Sequence, residues 1–173
     1  MVDTVNLEQF ISAASGHGPC VGILHDTTLP LLAHPIGFEV RIIDGASMKS
    51  RDAIYSAFAD AWHFPPWFGR NMDAFDDFMC DLENMVTAAT GRPQAPGYLT
   101  AIPNAHLILI EQLDLFSWFA NSMTSYREYY RDELTPPAAF GLLLSAPIDQ
   151  LPKVRQRWLS VGVQVAEVGT QDT

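Results

Sequence analysis

The chain has 173 residues, is 48% hydrophobic, and carries a formal net charge of -10 from ten Lys+Arg against twenty Asp+Glu. That length suits a single domain, and the apolar content excludes a disordered chain. The acid excess argues against nucleic acid or an anionic membrane as partner and points to a basic one.

Residues 6–14 read as an amphipathic helix, because Asn6 and Gln9 have capping-box spacing and Leu7, Phe10, Ile11 and Ala14 share one face. A brief strand over 20–24 follows, then a segment with Pro30 and Pro35, then a strand over 38–43. Ser50 is placed to cap a helix reaching about residue 63, with Ile54, Ala57, Phe58, Ala61 and Trp62 at helical spacing. After a break over 64–69, a second helix starts at Asn71, another good cap, and runs to about residue 88.

Residues 89–103 contain Gly91, Pro93, Pro96 and Gly97 and read as a long loop, whereas the four aliphatics of 107–110 read as a strand covered on both faces. A helix over 118–134, a buried strand over 140–145, a short helix over 154–159 and a last strand over 161–168 complete the chain. This alternation predicts an α/β fold of two or three layers, with a small, mainly parallel sheet flanked by helices. No apolar run approaches the ~20 residues of a membrane span. Asp3 and Glu8 stand where an export signal needs basic and apolar residues, so the expected location is the cytoplasm. Cys20 and Cys80 lack the spacing of a metal or redox motif and are read as reduced thiols.

The second helix stands out. Asp73, Asp76, Asp77, Asp81 and Glu83 fall on it with no Lys or Arg between Arg70 and Arg92, and positions 73, 77 and 81 form one i, i+4 stripe. Like charges at that spacing cost stability. Asp73 complements the helix dipole, but Asp81 lies far from the helix start. Just ahead of the stripe stands Phe64-Pro65-Pro66-Trp67-Phe68-Gly69-Arg70-Asn71, a rigid turn that sets aromatics beside the acids, with Gly69 expected at a positive φ and Phe68 packed inward.

The run 64–79 resembles the signature of the barstar family of intracellular ribonuclease inhibitors, in which Pro-x-aromatic-aromatic-Gly-x-Asn-x-Asp-Ala-Leu-x-Asp recurs. Pro65, the aromatics at 67 and 68, Gly69, Asn71, Asp73, Ala74 and Asp77 fall in register. The resemblance implies a barstar-like domain over 38–168, preceded by an N-terminal extension over 1–37 and followed by a short tail over 169–173. It also implies a non-catalytic protein without cofactor, metal or small-molecule substrate, whose partner is a cognate basic ribonuclease toxin. Its acidic helix would occlude the active site by standing in for substrate phosphates.

Carried over by position, Asp77 is the deepest anchor, Asp73 a second acidic contact and Trp67 the aromatic that covers the cleft. Gly69 and Asn71 shape the loop or lend backbone and amide contacts. Asp76 replaces a family tryptophan, and Asp81 extends the stripe. A further family acid comes from the helix before the last core strand. That acid is Glu128, Asp132 or Glu133 if the strand is 140–145, and is lost if the strand is 161–168.

Two other readings compete. Asp73, Asp76 and Asp77 are a conceivable divalent-metal cluster, although no HxxxH, HExxH, P-loop or GxGxxG supports an enzyme. An adaptor is the other, docking through Tyr126, Tyr129 and Tyr130.

Overall fold

The computed structural model describes residues 3–25 and 37–169. The segment with Pro30 and Pro35 and the tail from 170 onward lie outside the described residues. Six strands form one sheet: β1 (Thr4–Val5), β2 (Val21–Leu24), β3 (Glu39–Ile42), β4 (Gly97–Ile102), β5 (Ala139–Leu144) and β6 (Val165–Val168). Their order is β1-β6-β2-β5-β4-β3, and every pairing is parallel. Among the described residues six helices accompany them: α1 (Leu7–Ala14), α2 (Arg51–Trp62), α3 (Met72–Met79), α4 (Leu82–Thr90), α5 (Phe116–Asp132) and α6 (Leu151–Ser160).

The layering follows from handedness. The steps β3 to β4, β4 to β5 and β5 to β6 all move the same way across the sheet, so right-handed crossovers place α2 to α6 on one face. The step β1 to β2 runs the other way and places α1 on the opposite face. Side chains agree. Tyr130 of α5 stacks on Phe140 and leans on Tyr98, and Trp62 of α2 donates through Nε1 to Thr100 at 3.2 Å, all on one face. Phe10 of α1 lies against Gly22 and Gly141 on the other, where a Cβ at either glycine would collide. The result is a three-layer α/β fold with a buried sheet.

Three sequence expectations are overturned here. Residues 97–102, expected within a loop, form β4 between β3 and β5. Its Gly97 is required by packing rather than by a turn, since a Cβ there would sit 2.2 Å from the Phe38 ring. Residues 107–110, expected as a strand, instead form the last residue of a short 3₁₀ segment (Ala105–Leu107) and the turns that follow it. Ile108 and Leu109 are fully buried, but Leu109 has φ +55° and donates its N–H to the Met48 carbonyl at 2.8 Å. Their apolarity reflects a plug beyond the end of β4, not a place in the sheet. Finally, the helix expected over 71–88 is two helices, broken at Cys80 and Asp81.

Glu83, on the first turn of α4, is only 7% exposed, and its Oε2 has no partner among the described residues. Burial pushes its carboxyl above the usual carboxylate range, and the neighbouring Asp81 charge adds to this. Its ionised form is thus penalised only in the folded chain. Stability is fullest below the ordinary value of 4.5 and declines as pH rises through the raised folded value. Glu83→Gln should therefore melt above the parent at neutral pH, by on the order of 1 kcal/mol or about 2–4 °C in a chain of this size. The two melting curves should converge under acid conditions. A constant gap across pH would disprove the assignment.

Candidate functional site

The loop between α2 and α3 is held at both ends by left-handed residues, His63 with φ +64° and Arg70 with φ +52°. Neither is glycine, so the chain carries backbone strain on both sides of the turn. The expectation of a positive φ at Gly69 is incorrect, because the following residue, Arg70, takes that role. What holds Arg70 there is its guanidinium, whose Nη2 donates to Asp52 Oδ1 at 2.6 Å, to the Asp52 carbonyl at 3.0 Å and to Ser56 Oγ at 3.1 Å. The same contacts draw the only nearby arginine of the motif toward α2, leaving the acids of α3 without it.

Within the loop, Phe68 donates its N–H to the Pro65 carbonyl at 3.0 Å and closes a tight turn. Phe64 and Phe68 are buried edge to face, and both also meet Phe78 of α3. Trp67 stands at the turn's third position and is 79% exposed, with no ring partner among the described residues. A rigid apolar base thus holds out a large indole that folding does not use.

Asn71 caps α3, its Oδ1 accepting from the Ala74 N–H at 2.8 Å while its Nδ2 donates to the Gly69 carbonyl at 3.4 Å. A Cβ at Gly69 would lie 3.3 Å from that amide nitrogen, so glycine keeps the loop tight against the cap. Beyond the cap the acids separate into different environments. Asp73 and Asp77 are exposed and form no ion pair among the described residues. Asp73 sits in the first turn, where the helix dipole favours it. Asp77 sits in the last turn, where the dipole opposes it.

Asp76 does not join them. Half-buried, it accepts a hydrogen bond from the Tyr126 hydroxyl of α5, and burial together with this contact pushes the phenol's pKa well up. The 73/77/81 stripe also fails, since the helix breaks before Asp81. That residue stands at the entry to α4, and its Oδ1 accepts from Asn84 Nδ2 at 2.6 Å. The break has a cause far away in the chain. Tyr130 of α5, fully buried, donates its hydroxyl to the Met79 carbonyl at 2.6 Å and accepts from the Leu82 N–H at 3.0 Å. One phenol therefore satisfies the last carbonyl of α3 and the first amide of α4.

The remaining groups of interest are inert or inward. Cys80 is free, and burial followed by the charges of Asp76, Glu83, Asp77 and Asp81 raises its thiol to about 12. The tyrosine surface expected for an adaptor does not exist, because Tyr126 and Tyr130 are buried and Tyr129 is half-buried. Among the acids of α5 and its C-cap, Glu133 shares the surroundings of Tyr129 with Asp81, Glu83 and Cys80. Glu128 and Asp132 instead act on Cys20 and on Arg131 and His17 respectively. Among the described residues no group of three or more His, Cys, Asp or Glu is placed to hold a metal ion. No helix among them is long and apolar enough to cross a membrane.

A family model described as "Barstar (barnase inhibitor)" matches residues 38–141, more than half of the chain. The match begins just before β3 and ends inside β5, so α5 precedes its last strand while β1, α1, β2, α6 and β6 lie outside it. No curated protein matches. Among solved structures, the chain is similar to the ORC2 protein of Aeropyrum pernix in its ADP form, at 11% identity and TM-score 0.49, covering 94% of this chain and 45% of that one. A second ORC2 structure, of the ADPNP–ADP complexes, matches at 10% identity and TM-score 0.45, covering 96% of this chain and 45% of that one. The chain thus spans about half the length of these structural neighbours.

Proposed function

Since the chain belongs to the barstar family, we propose that it is a non-catalytic inhibitor acting in the cytoplasm, which binds a basic ribonuclease toxin and occludes its active site. The observation that carries this reading is the pairing of two unpaired, exposed carboxylates, Asp73 and Asp77, with the exposed indole of Trp67 on a braced turn. A ribonuclease active site must hold phosphates with cationic groups. A fixed pair of carboxylates offers such a site the same charge without a scissile bond, and the surrounding negative field speeds encounter with a basic partner.

In this reading Asp77 enters deepest, Asp73 makes the second charged contact and Trp67 covers the cleft. Gly69 and Asn71 hold the loop in shape. Asp81 sits at the margin together with Glu133, the residue that follows α5, both of which act on Tyr129. Asp76 is committed to Tyr126 and acts from behind, fixing α3 against α5.

The test is to search the neighbouring genes for a small basic ribonuclease domain, co-purify the chain with it and assay RNA cleavage. Stoichiometric inhibition is expected, with an affinity that falls as salt rises, because exposed charges more than about 8–10 Å apart are screened at physiological ionic strength. Full cleavage in the presence of excess folded protein would defeat the proposal, as would binding that strengthens with salt.

A further inference from the structure

Beside Trp67 the surface opens into a groove of about 440 Å³. Pro65 and Trp67 of the turn, Phe78 of α3, and Met85 and Ala88 of α4 give it apolar walls, and Asp81 supplies a carboxylate among them. Asp81 spends one oxygen on Asn84, and its Oδ2 has no partner among the described residues. The residues lining the groove include no Lys or Arg, and His63 is its other titratable group.

These features restrict what can fill it. An apolar side chain would take the Asp81 carboxylate out of water without compensation, which is costly. An acidic one would meet the Asp81 carboxylate. The groove suits a group with a cationic tip and an apolar stem. Between the two natural candidates, the exposed indole face favours a flat guanidinium, which stacks on aromatic rings and hydrogen-bonds a carboxylate at the same time.

We propose that this groove receives an arginine side chain of the partner protein, the stem lying on Met85 and Ala88 and the guanidinium between the Trp67 indole and Asp81. The proposal rests on the reading of this acidic face as the partner surface. It adds to that reading a second anchoring point, beside the face of α3 that blocks the active site. Because α4 forms much of the groove, the break between α3 and α4 acquires a role: it brings Asp81 out of the α3 stripe and into this pocket.

The probe is a blocked Gly-Arg-Gly peptide titrated into the ¹⁵N-labelled full chain, with the neutral isostere Gly-citrulline-Gly as control. Saturable shifts are expected at the Trp67 indole N–H and at the Ala88 and Ala89 amides, with a Kd on the order of 10 mM for a single stacked cation. The citrulline peptide should bind at least about five-fold more weakly, since it keeps the shape and loses the charge. Trp67→Ala should abolish the response, and Asp81→Asn should weaken it about three-fold, as expected of one half-exposed ion pair.

Shifts confined to the neighbourhood of Asp73 and Asp77, an equal response to citrulline, or no saturable shift at Trp67 would each overturn the proposal. The outcome is separable from that of the proposed function, because the titration contains no ribonuclease. The groove can fail while inhibition stands, and an arginine response without inhibition would assign the groove to a different protein partner.

Discussion

Asp77→Ala should abolish tight ribonuclease binding while leaving the fold intact or slightly more stable. In the free chain Asp77 is exposed, makes no ion pair among the described residues and stands in the last turn of α3, where the helix dipole disfavours a carboxylate. Alanine removes that repulsion and raises helix propensity, so stability should rise by a few tenths of a kcal/mol. In the complex the same carboxylate would lie desolvated against cations of the ribonuclease. Removing one partner of such a pair strands the other charge and costs about 3–5 kcal/mol, or roughly 100- to 5,000-fold in Kd. Measuring Tm and Kd on the same preparation gives opposite signs if the proposal is right. If binding is unchanged, Asp77 is not the anchor; if both fall together, the residue is structural.

That separation of stability from binding was partly visible in the sequence. Caps were legible because they are local. Asn6 and Gln9 form the reciprocal capping box, and Ser50 and Asn71 each accept from the backbone N–H three residues on. The parallel α/β class was legible in the alternation of strands and helices along the chain, which parallel crossovers require, although the aliphatic run read as a strand covered on both faces, 107–110, is not a strand. The motif 64–77 located the loop and the first acids. Two kinds of feature were hidden. β4 was masked by Pro96 and Gly97, whose usual meaning is a turn, although Gly97 answers to the Phe38 ring across the sheet edge. Ile108 and Leu109 gave the opposite error, because burial under neighbouring turns and burial within a sheet demand the same apolar residues.

The acidic stripe was the most consequential misreading. Helical spacing placed Asp73, Asp77 and Asp81 on one face, and nothing between Phe78 and Leu82 is a helix breaker. No proline or glycine stands there. The break is imposed by tertiary contact, since Tyr130 lies 51 residues from Met79 and 48 from Leu82 in sequence and binds both. Asp76 was misread for the same reason: its partner, Tyr126, is on the same distant helix. Local pattern thus identifies the charges on α3, and the packing of α5 decides which of them face outward.

Tyr130→Phe tests that last step and should produce the largest loss of stability of any one-atom change in this region. The hydroxyl is fully buried, donates to the Met79 carbonyl and accepts from the Leu82 N–H. The phenylalanine ring would keep its stacking on Phe140 and its contact with Tyr98, so the apolar packing is retained. Two backbone groups at adjoining helix ends would be left unpaired, each at about 1–3 kcal/mol, giving a loss on the order of 2–6 kcal/mol. A chain of this size should melt at least about 4 °C and up to roughly 20 °C lower. The effect should also reach binding. The unpaired groups loosen the junction, which would free Asp81 and α4 to shift relative to Trp67 while Asp73 and Asp77 stay on α3. The arginine response at the Trp67 groove should therefore weaken, whereas inhibition through Asp77 should persist in whatever fraction remains folded. A Tyr130→Phe protein that melts with the parent would show that the break is set by residues 80 and 81 themselves and not by the distant phenol.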